Sequence, residues 1–296
     1  MDSTLQHMAT DTQPPSRASP GRRQVWVGQA RAFAERYACE LFRNKVVLFW
    51  SVAFPVAFYL LTITVFIDTS TVPDTVVPYQ KAGVAVSYGM FGAIVASLNS
   101  FGQQLAADFE ADRYMQYRSL PLAPSADLAG RALAGLALSV VAFVAVLAVA
   151  VPTGAAFSLR SAATVPVVVL AVVTFAVVWM MLAGVVAPRV RDARYASVVT
   201  ISIALGAYFL TGYNGTDPGA FAGPDWLLNW LPFTLATRLV SQNIVVFPDT
   251  GVLGSGSLLS VPSLSFGVGL LAATTLAAVA VGLLVMRHAV YGEVRP

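Results

Sequence analysis

Charge is what this 296-residue sequence has least of. Asp, Glu, Lys and Arg make up 11% of it, against roughly 25% in a typical soluble protein. With hydrophobic residues at 57% and mean hydropathy at +0.70, the shortage excludes a soluble globular protein and points to a membrane. The single cysteine, Cys39, excludes an internal disulfide and a multi-cysteine metal site. The two histidines, His7 and His288, stand near opposite ends, so no histidine metal cluster is expected either. No G-x-x-x-x-G-K-S/T loop is present, so the chain lacks the usual means of binding and hydrolysing ATP. H-E-x-x-H, G-x-S-x-G and paired intramembrane carboxylates are also missing, which weighs against an intramembrane enzyme and leaves no catalytic residue to name. Lysine is confined to Lys45 and Lys81 in an Ala/Val/Arg-rich sequence, a usage that reads as a high-GC bacterial genome.

What is present is organised. Residues 1–23 are Ser/Thr/Pro-rich without apolar period and are expected to be a disordered tail. Arg22-Arg23 is not an export signal, because charged residues, not an apolar run, follow it. Over 24–45, Trp26, Ala30, Phe33, Tyr37 and Leu41 recur at three- and four-residue steps. This spacing predicts an amphipathic helix lying in the membrane interface with that stripe toward lipid.

Crossing the hydrocarbon as a helix takes about 20 mostly apolar residues. Six stretches qualify: 46–67, 82–104, 132–151, 164–187, 195–213 and 266–286. Pro55 should kink the first. A further apolar stretch, 224–247, is interrupted by Pro232 and carries Arg238 near its middle. A charge there costs about 2.5–3.5 kcal/mol on insertion scales. It is therefore expected to form two short helices at the outer interface, with Trp226 and Trp230 at headgroup level. With six spans both termini share one side. All of the 18 Lys and Arg except Lys81, Arg160 and Arg238 fall on that side, which the positive-inside rule assigns to the cytoplasm. The basic pI thus calls for no nucleic-acid partner.

Between the second and third spans lies "DFEADRYMQYRSLPLAPSADLAGR", with seven charges: Asp108, Glu110, Asp112, Arg113, Arg118, Asp127 and Arg131. Burying all seven in lipid would cost about 17 kcal/mol at ~2.5 kcal/mol each. This island is expected in cytoplasmic water. It should hold a helix over 105–120, a break at Pro121 and Pro124, and a new helix capped by Ser125. Arg131 should snorkel to the headgroups.

This island resembles that of type-2 ABC export permeases, the daunorubicin-resistance kind included. "DFEADRYMQYRSLPLAPSADLAGR" puts Asp108 or Glu110 on the acidic position, Arg118-Ser119-Leu120-Pro121 on an "RSLP"-like turn, and Gly130-Arg131 at the foot of the third span. "NWLPFTLATRL", 229–239, stands where that family has an "NPxT"-like element in an outer hairpin. The resemblance covers roughly 24–290. It implies an all-α membrane protein with six spans, an interfacial helix, a cytoplasmic coupling helix and an outer hairpin. It also implies a separate ABC ATPase subunit that binds ATP and Mg, with no cofactor in this chain, and a second permease, identical or not. Asp108, Glu110, Arg113, Arg118, Pro121 and Arg131 would then form the coupling element, in a bacterial cytoplasmic membrane protein with both termini inside.

No Asp, Glu, Lys or Arg lies deep inside a span, which argues against a proton- or cation-coupled carrier. In the resembled family the first, second and fifth spans flank the transport path, which makes Phe54, Phe58, Tyr59, Tyr88 and Tyr208, with the polar Asn99, the candidates for a substrate path here, an aromatic, uncharged wall that suits drugs, natural products or lipids. An ATP-independent carrier and a non-transporting scaffold remain as alternatives at this stage.

Overall fold

The computed structural model describes residues 21–67, 73–190, 192–246 and 261–291. Positions 1–20 of the expected tail, and Arg191, lie outside the described residues. The described chain is helical, with no strand among the described residues. Its helices are α1 (Arg22–Arg43), α2 (Lys45–Phe66), α3 (Val77–Glu110) and α4 (Arg113–Arg118). Then come α5 (Pro124–Thr153), α6 (Thr164–Val190), α7 (Ala193–Leu210), α8 (Asp225–Leu228), α9 (Pro232–Ile244) and α10 (Leu264–Tyr291).

Among the described residues, five helices are long and apolar enough to cross a membrane: α2, α3, α5, α6 and α10. The expected fifth span falls on α7, whose apolar part, Val198–Leu210, is shorter. At its full 18 residues α7 reaches about 27 Å, against a hydrocarbon core of about 30 Å. The all-α membrane class holds, with α7 as the short member of the set.

α3 is the central helix. Of its most apolar window, 89% is buried in protein, against 22% for α2 and 11% for α10. The latter two therefore border the bundle. Pro55 acts on α2 as its chemistry requires: it offers no N–H to the carbonyl four residues back, that of Ser51. Phe49–Ala53 winds as a π-turn just before it. The Ser51 carbonyl then faces Gly92 of α3, where a Cβ would lie 3.0 Å from it. α3 has a wide turn of its own at Leu98–Gln103. There Gly102 meets Ala183 of α6 and Thr200 of α7.

The apolar stripe of α1 forms as expected but meets protein instead of lipid. Ala30, Phe33, Tyr37 and Leu41 are buried, with α1 laid along α5. The reason is Gly130 of α5. A Cβ there would sit 2.5 Å from Phe33 Cβ and 2.7 Å from the Ala30 carbonyl oxygen. Only a residue without a side chain admits the α1 backbone so closely.

The island departs from the expected continuous helix over 105–120. α3 ends at Glu110, and Asp112 takes a left-handed conformation (φ 49°) before α4 begins. Asp tolerates this conformation better than most residues. Ser125 is not the cap of α5 either. Ala123 holds that place, with Pro124 in the first turn, where a missing N–H costs nothing. At the other end of the bundle, α8 and α9 form the expected pair of short helices, with Trp226 and Trp230 exposed.

Candidate functional site

Two constellations stand at opposite ends of α3. The first is the island. Of its six charges whose side chains are described, three are not in water: Asp108, Asp127 and Arg131 are 1%, 3% and 0% exposed. The whole-island hydration expected from transfer costs is overturned because the burial is in protein, with each charge paired. Arg131 Nη2 donates to Asp108 Oδ2 at 2.5 Å and to the Tyr37 hydroxyl at 2.6 Å. Its distance to Asp127 Oδ2 is 3.7 Å. Arg113 Nη1 holds the other Asp108 oxygen at 2.7 Å. Arg131 therefore does not snorkel; its guanidinium stacks 4.2 Å from the centre of the Tyr37 ring.

Tyr37 is the hub of this cluster. Its hydroxyl donates to Asp127 Oδ1 at 2.6 Å while accepting from Arg131. Burial, with Asp127 and Asp108 adding to it against the opposing pull of Arg131, pushes the phenol well above its ordinary pKa. It stays protonated and keeps donating. Two aspartates and two arginines balance, so the cluster carries no net charge.

Around the hub, α1 straps the island down. Gln29 donates to the Pro121 carbonyl at 3.0 Å and accepts from Ala123 N at 2.9 Å, bridging the turn. Trp26 Nε1 donates to Ser125 Oγ, and Arg36 Nη1 to the Tyr117 hydroxyl at 2.7 Å. Gln29 and Tyr117 did not stand out in sequence, and Tyr37 stood there only as a member of the α1 stripe. A tyrosine on an otherwise apolar stripe was the one available signal, since a buried phenol needs a partner. Glu110 is exposed, the backbone of Arg118 closes α4, and the Arg118 side chain lies outside the described residues. Met115 and Leu120, at 67% and 52% exposure, add an uncovered apolar patch beside these charges.

The second constellation is a cavity of about 660 Å³ at the far end of α3. Phe58, Thr62 and Phe66 of α2 form one wall, and Tyr79, Gly83, Ser87 and Tyr88 of α3 another. Tyr208 and Phe209 of α7 close the third side, with Tyr213, Thr216 and Asp217 just beyond them. Ser241 and Val245 belong to the end of α9 and the residue after it. Hydrogen bonds between hydroxyls fix the rings: Thr62 to Tyr88 at 2.8 Å and Ser87 to Tyr208 at 2.9 Å.

Of the path candidates, Phe58, Tyr88 and Tyr208 line this cavity. Phe54 stands behind them, 4.4 Å from Phe58 between ring centres. Tyr59 is fully buried and points elsewhere, bonded to Thr153 at 2.7 Å. Asn99 lies in the wide turn of α3, paired with Gln103 and near Ser51. The wall is also not wholly uncharged, because Asp217 is part of the lining.

The loop carrying Asp217 is strained. Gly212, Tyr213, Asn214 and Gly215 all have positive φ, at 64°, 55°, 61° and 78°. For Tyr213 this conformation costs about 1–3 kcal/mol, and such strain collects at ligand sites. Asp217 N returns to the Gly212 carbonyl at 3.0 Å, and a Cβ on Gly212 would lie 2.0 Å from the Asp217 carbonyl oxygen. Beside this loop, Arg238 of α9 is fully buried and paired with Asp225 at 3.1 Å. Burial lowers the Arg238 pKa, and Asp225 opposes that shift.

Among the described residues no group of three or more His, Cys, Asp or Glu could hold a metal ion. No curated protein matches the chain. A family model described as ABC-2 type transporter matches residues 28–245, from α1 to the end of the hairpin. The match takes in both the strapped island and the cavity, and the chain belongs to the ABC-2 type transporter family as a multi-pass membrane protein.

Proposed function

We propose that this chain is the permease of an ATP-driven exporter that moves a hydrophobic or amphipathic molecule, a drug, natural product or lipid, out of a bacterial cell. A separate ATPase subunit binds ATP and Mg and docks on the island, and a second permease, identical or paralogous, completes the unit. Both termini and the island lie in the cytoplasm, on the side the arginines favour. The observation that carries this reading is the pairing of the two constellations through one helix. Asp108 and Ser87 both sit on α3, about 30 Å apart at 1.5 Å per residue. A push on the island is thus delivered along α3 to the cavity wall. The exposed faces of α2 (Phe49, Trp50) and α7 (Val198, Leu210) supply apolar surface for lipid and for the second permease.

Docking is carried by the island. The exposed Glu110, together with Arg118, selects the ATPase by charge, and the exposed Met115 and Leu120 supply apolar contact. The buried cluster keeps the island in register with α1 and α5. Glu110→Ala, Arg118→Ala and Met115→Ala are tested by co-purification with the ATPase and by stimulated ATP hydrolysis. Each variant should insert normally and lose association. Full ATPase association and stimulation in all three would remove the island from the coupling role.

A further inference from the structure

The lining of the cavity is asymmetric in charge. No Lys or Arg belongs to it, and Asp217 is its one carboxylate. Of the cations near this end of the bundle, Lys81 Nζ is turned to the Thr153 carbonyl at 2.9 Å, Arg238 pairs with Asp225, and Arg160, whose backbone N meets the Asn243 carbonyl, is exposed and outside the lining. The Asp217 carboxylate has no hydrogen-bond or ion-pair partner among the described residues. Nor is it loosely held. The left-handed run before it, the bond from Asp217 N to Gly212, and the Ser87 hydroxyl on the Tyr213 carbonyl at 3.0 Å fix the loop to α3.

Close by stands a group of rings. The Tyr208 centroid is 6.1 Å from Tyr88, 5.2 Å from Phe209 and 5.6 Å from Tyr213. Aromatic faces attract cations, and desolvation strengthens the attraction. A carboxylate fixed at the edge of such a cluster favours a positive ligand and disfavours a negative one. Asp217 is exposed while Tyr208 is buried, so the carboxylate marks the mouth and the rings the interior.

We propose that the cavity selects amphipathic organic cations, the positive group held by Asp217 and the apolar body among Phe58, Tyr88, Tyr208 and Phe209. This rests on reading the cavity as the substrate's site, and it adds the sign of the charge. An anionic lipid or acidic natural product is disfavoured on the same grounds.

The test uses the full chain in nanodiscs and equilibrium dialysis against empty nanodiscs. The probes are tetraphenylphosphonium and the neutral triphenylphosphine oxide, in which an oxygen replaces one phenyl, each variant being compared with wild type for the same probe. Wild type should bind the cation, and Asp217→Asn should weaken it about tenfold, the scale of one charge contact close to the bulk-water limit, as suits an exposed carboxylate. The same change should leave the neutral probe within about twofold, and Asp217→Lys should weaken the cation further. Gly83→Trp, placed where a Cβ meets nothing within 4 Å, should block both probes by filling the cavity. If Asp217→Asn binds both probes as wild type does while Gly83→Trp blocks them, charge selection is wrong and the cavity reading survives. If wild type binds the neutral probe but not the cation, charge selection is wrong and the cavity reading survives; if it binds neither probe, or Gly83→Trp changes neither, the cavity is not the site and both readings fall.

Discussion

Replacing Arg131 by methionine keeps most of the side-chain volume and removes the charge that holds the island cluster together. Wild-type Arg131 is fully buried, against Asp108 and Asp127 side chains that are 2% and 5% exposed. In the variant, Asp108 retains Arg113, whose side chain is 42% exposed and so only partly compensates. Asp127 retains the Tyr37 hydroxyl. Breaking a buried pair by removing one partner costs about 3–5 kcal/mol, because a charge is left without its counterpart. Arg131→Met should lose that much in reversible unfolding in mixed micelles, followed by tryptophan fluorescence. Asp108→Asn alone should also destabilise, by less. The double variant should be more stable than the sum of the two losses, with a coupling of about 1–3 kcal/mol. A loss below about 1 kcal/mol for Arg131→Met, together with strict additivity, would show that the cluster holds nothing and refute the argument.

Other consequences are open to simpler assays. Gly130→Ala pushes a methyl into Phe33 and the α1 backbone and should cost about 1–3 kcal/mol, visible as a lower midpoint of thermal unfolding and faster proteolysis of α1. Asp112→Gly should be neutral or slightly stabilising, whereas Asp112→Val should lose about 1–2 kcal/mol for the left-handed backbone; circular dichroism melts distinguish them. Tyr59→Phe removes only the bond to Thr153 and should cost about 1 kcal/mol of stability without altering which molecules are transported, whereas Tyr88→Ala should change the transport profile measured in whole cells. Arg238→Leu removes a buried charge paired with the half-exposed Asp225; its unfolding midpoint should stay near wild type, since a well-packed apolar replacement avoids the desolvation cost.

Five of the six expected spans were legible because lipid imposes a simple rule, length times hydrophobicity, and that rule needs no neighbours. The hairpin was legible for the converse reason: Pro232 and Arg238 make 224–247 a poor span whatever surrounds it. The island was legible as a place but not as a structure. Transfer costs said that seven charges avoid lipid, but not that Asp108, Asp127 and Arg131 could leave both lipid and water by pairing under α1. That outcome depends on Gly130, and one glycine in a small-residue stretch says nothing about which helix will lie on it. The stripe on α1 had the right period, and periodicity alone does not tell lipid from protein as its cover. The path candidates divided in the same way. Tyr88 and Tyr208 face the cavity, whereas Tyr59, one residue after Phe58, turns to Thr153 on another side of its helix. Asp217 escaped notice because it lies outside every span, where a single carboxylate is ordinary until a loop fixes it beside a group of rings.

The wide turn at Leu98–Gln103 separates the cavity from the island along α3. An α-helix advances roughly 100° per residue, and a single π-turn takes up one residue without that advance. The two halves of α3 therefore face as they would in a plain helix one residue shorter. Tyr88 and Asp108 keep their angular phase only while the wide turn persists. If it closed to plain α geometry without losing a residue, one half would swing by roughly 100° against the other. α3 is thus a shaft with a keyed joint. The phase of that joint, as much as the length of the shaft, decides which wall the cavity presents when the island is moved.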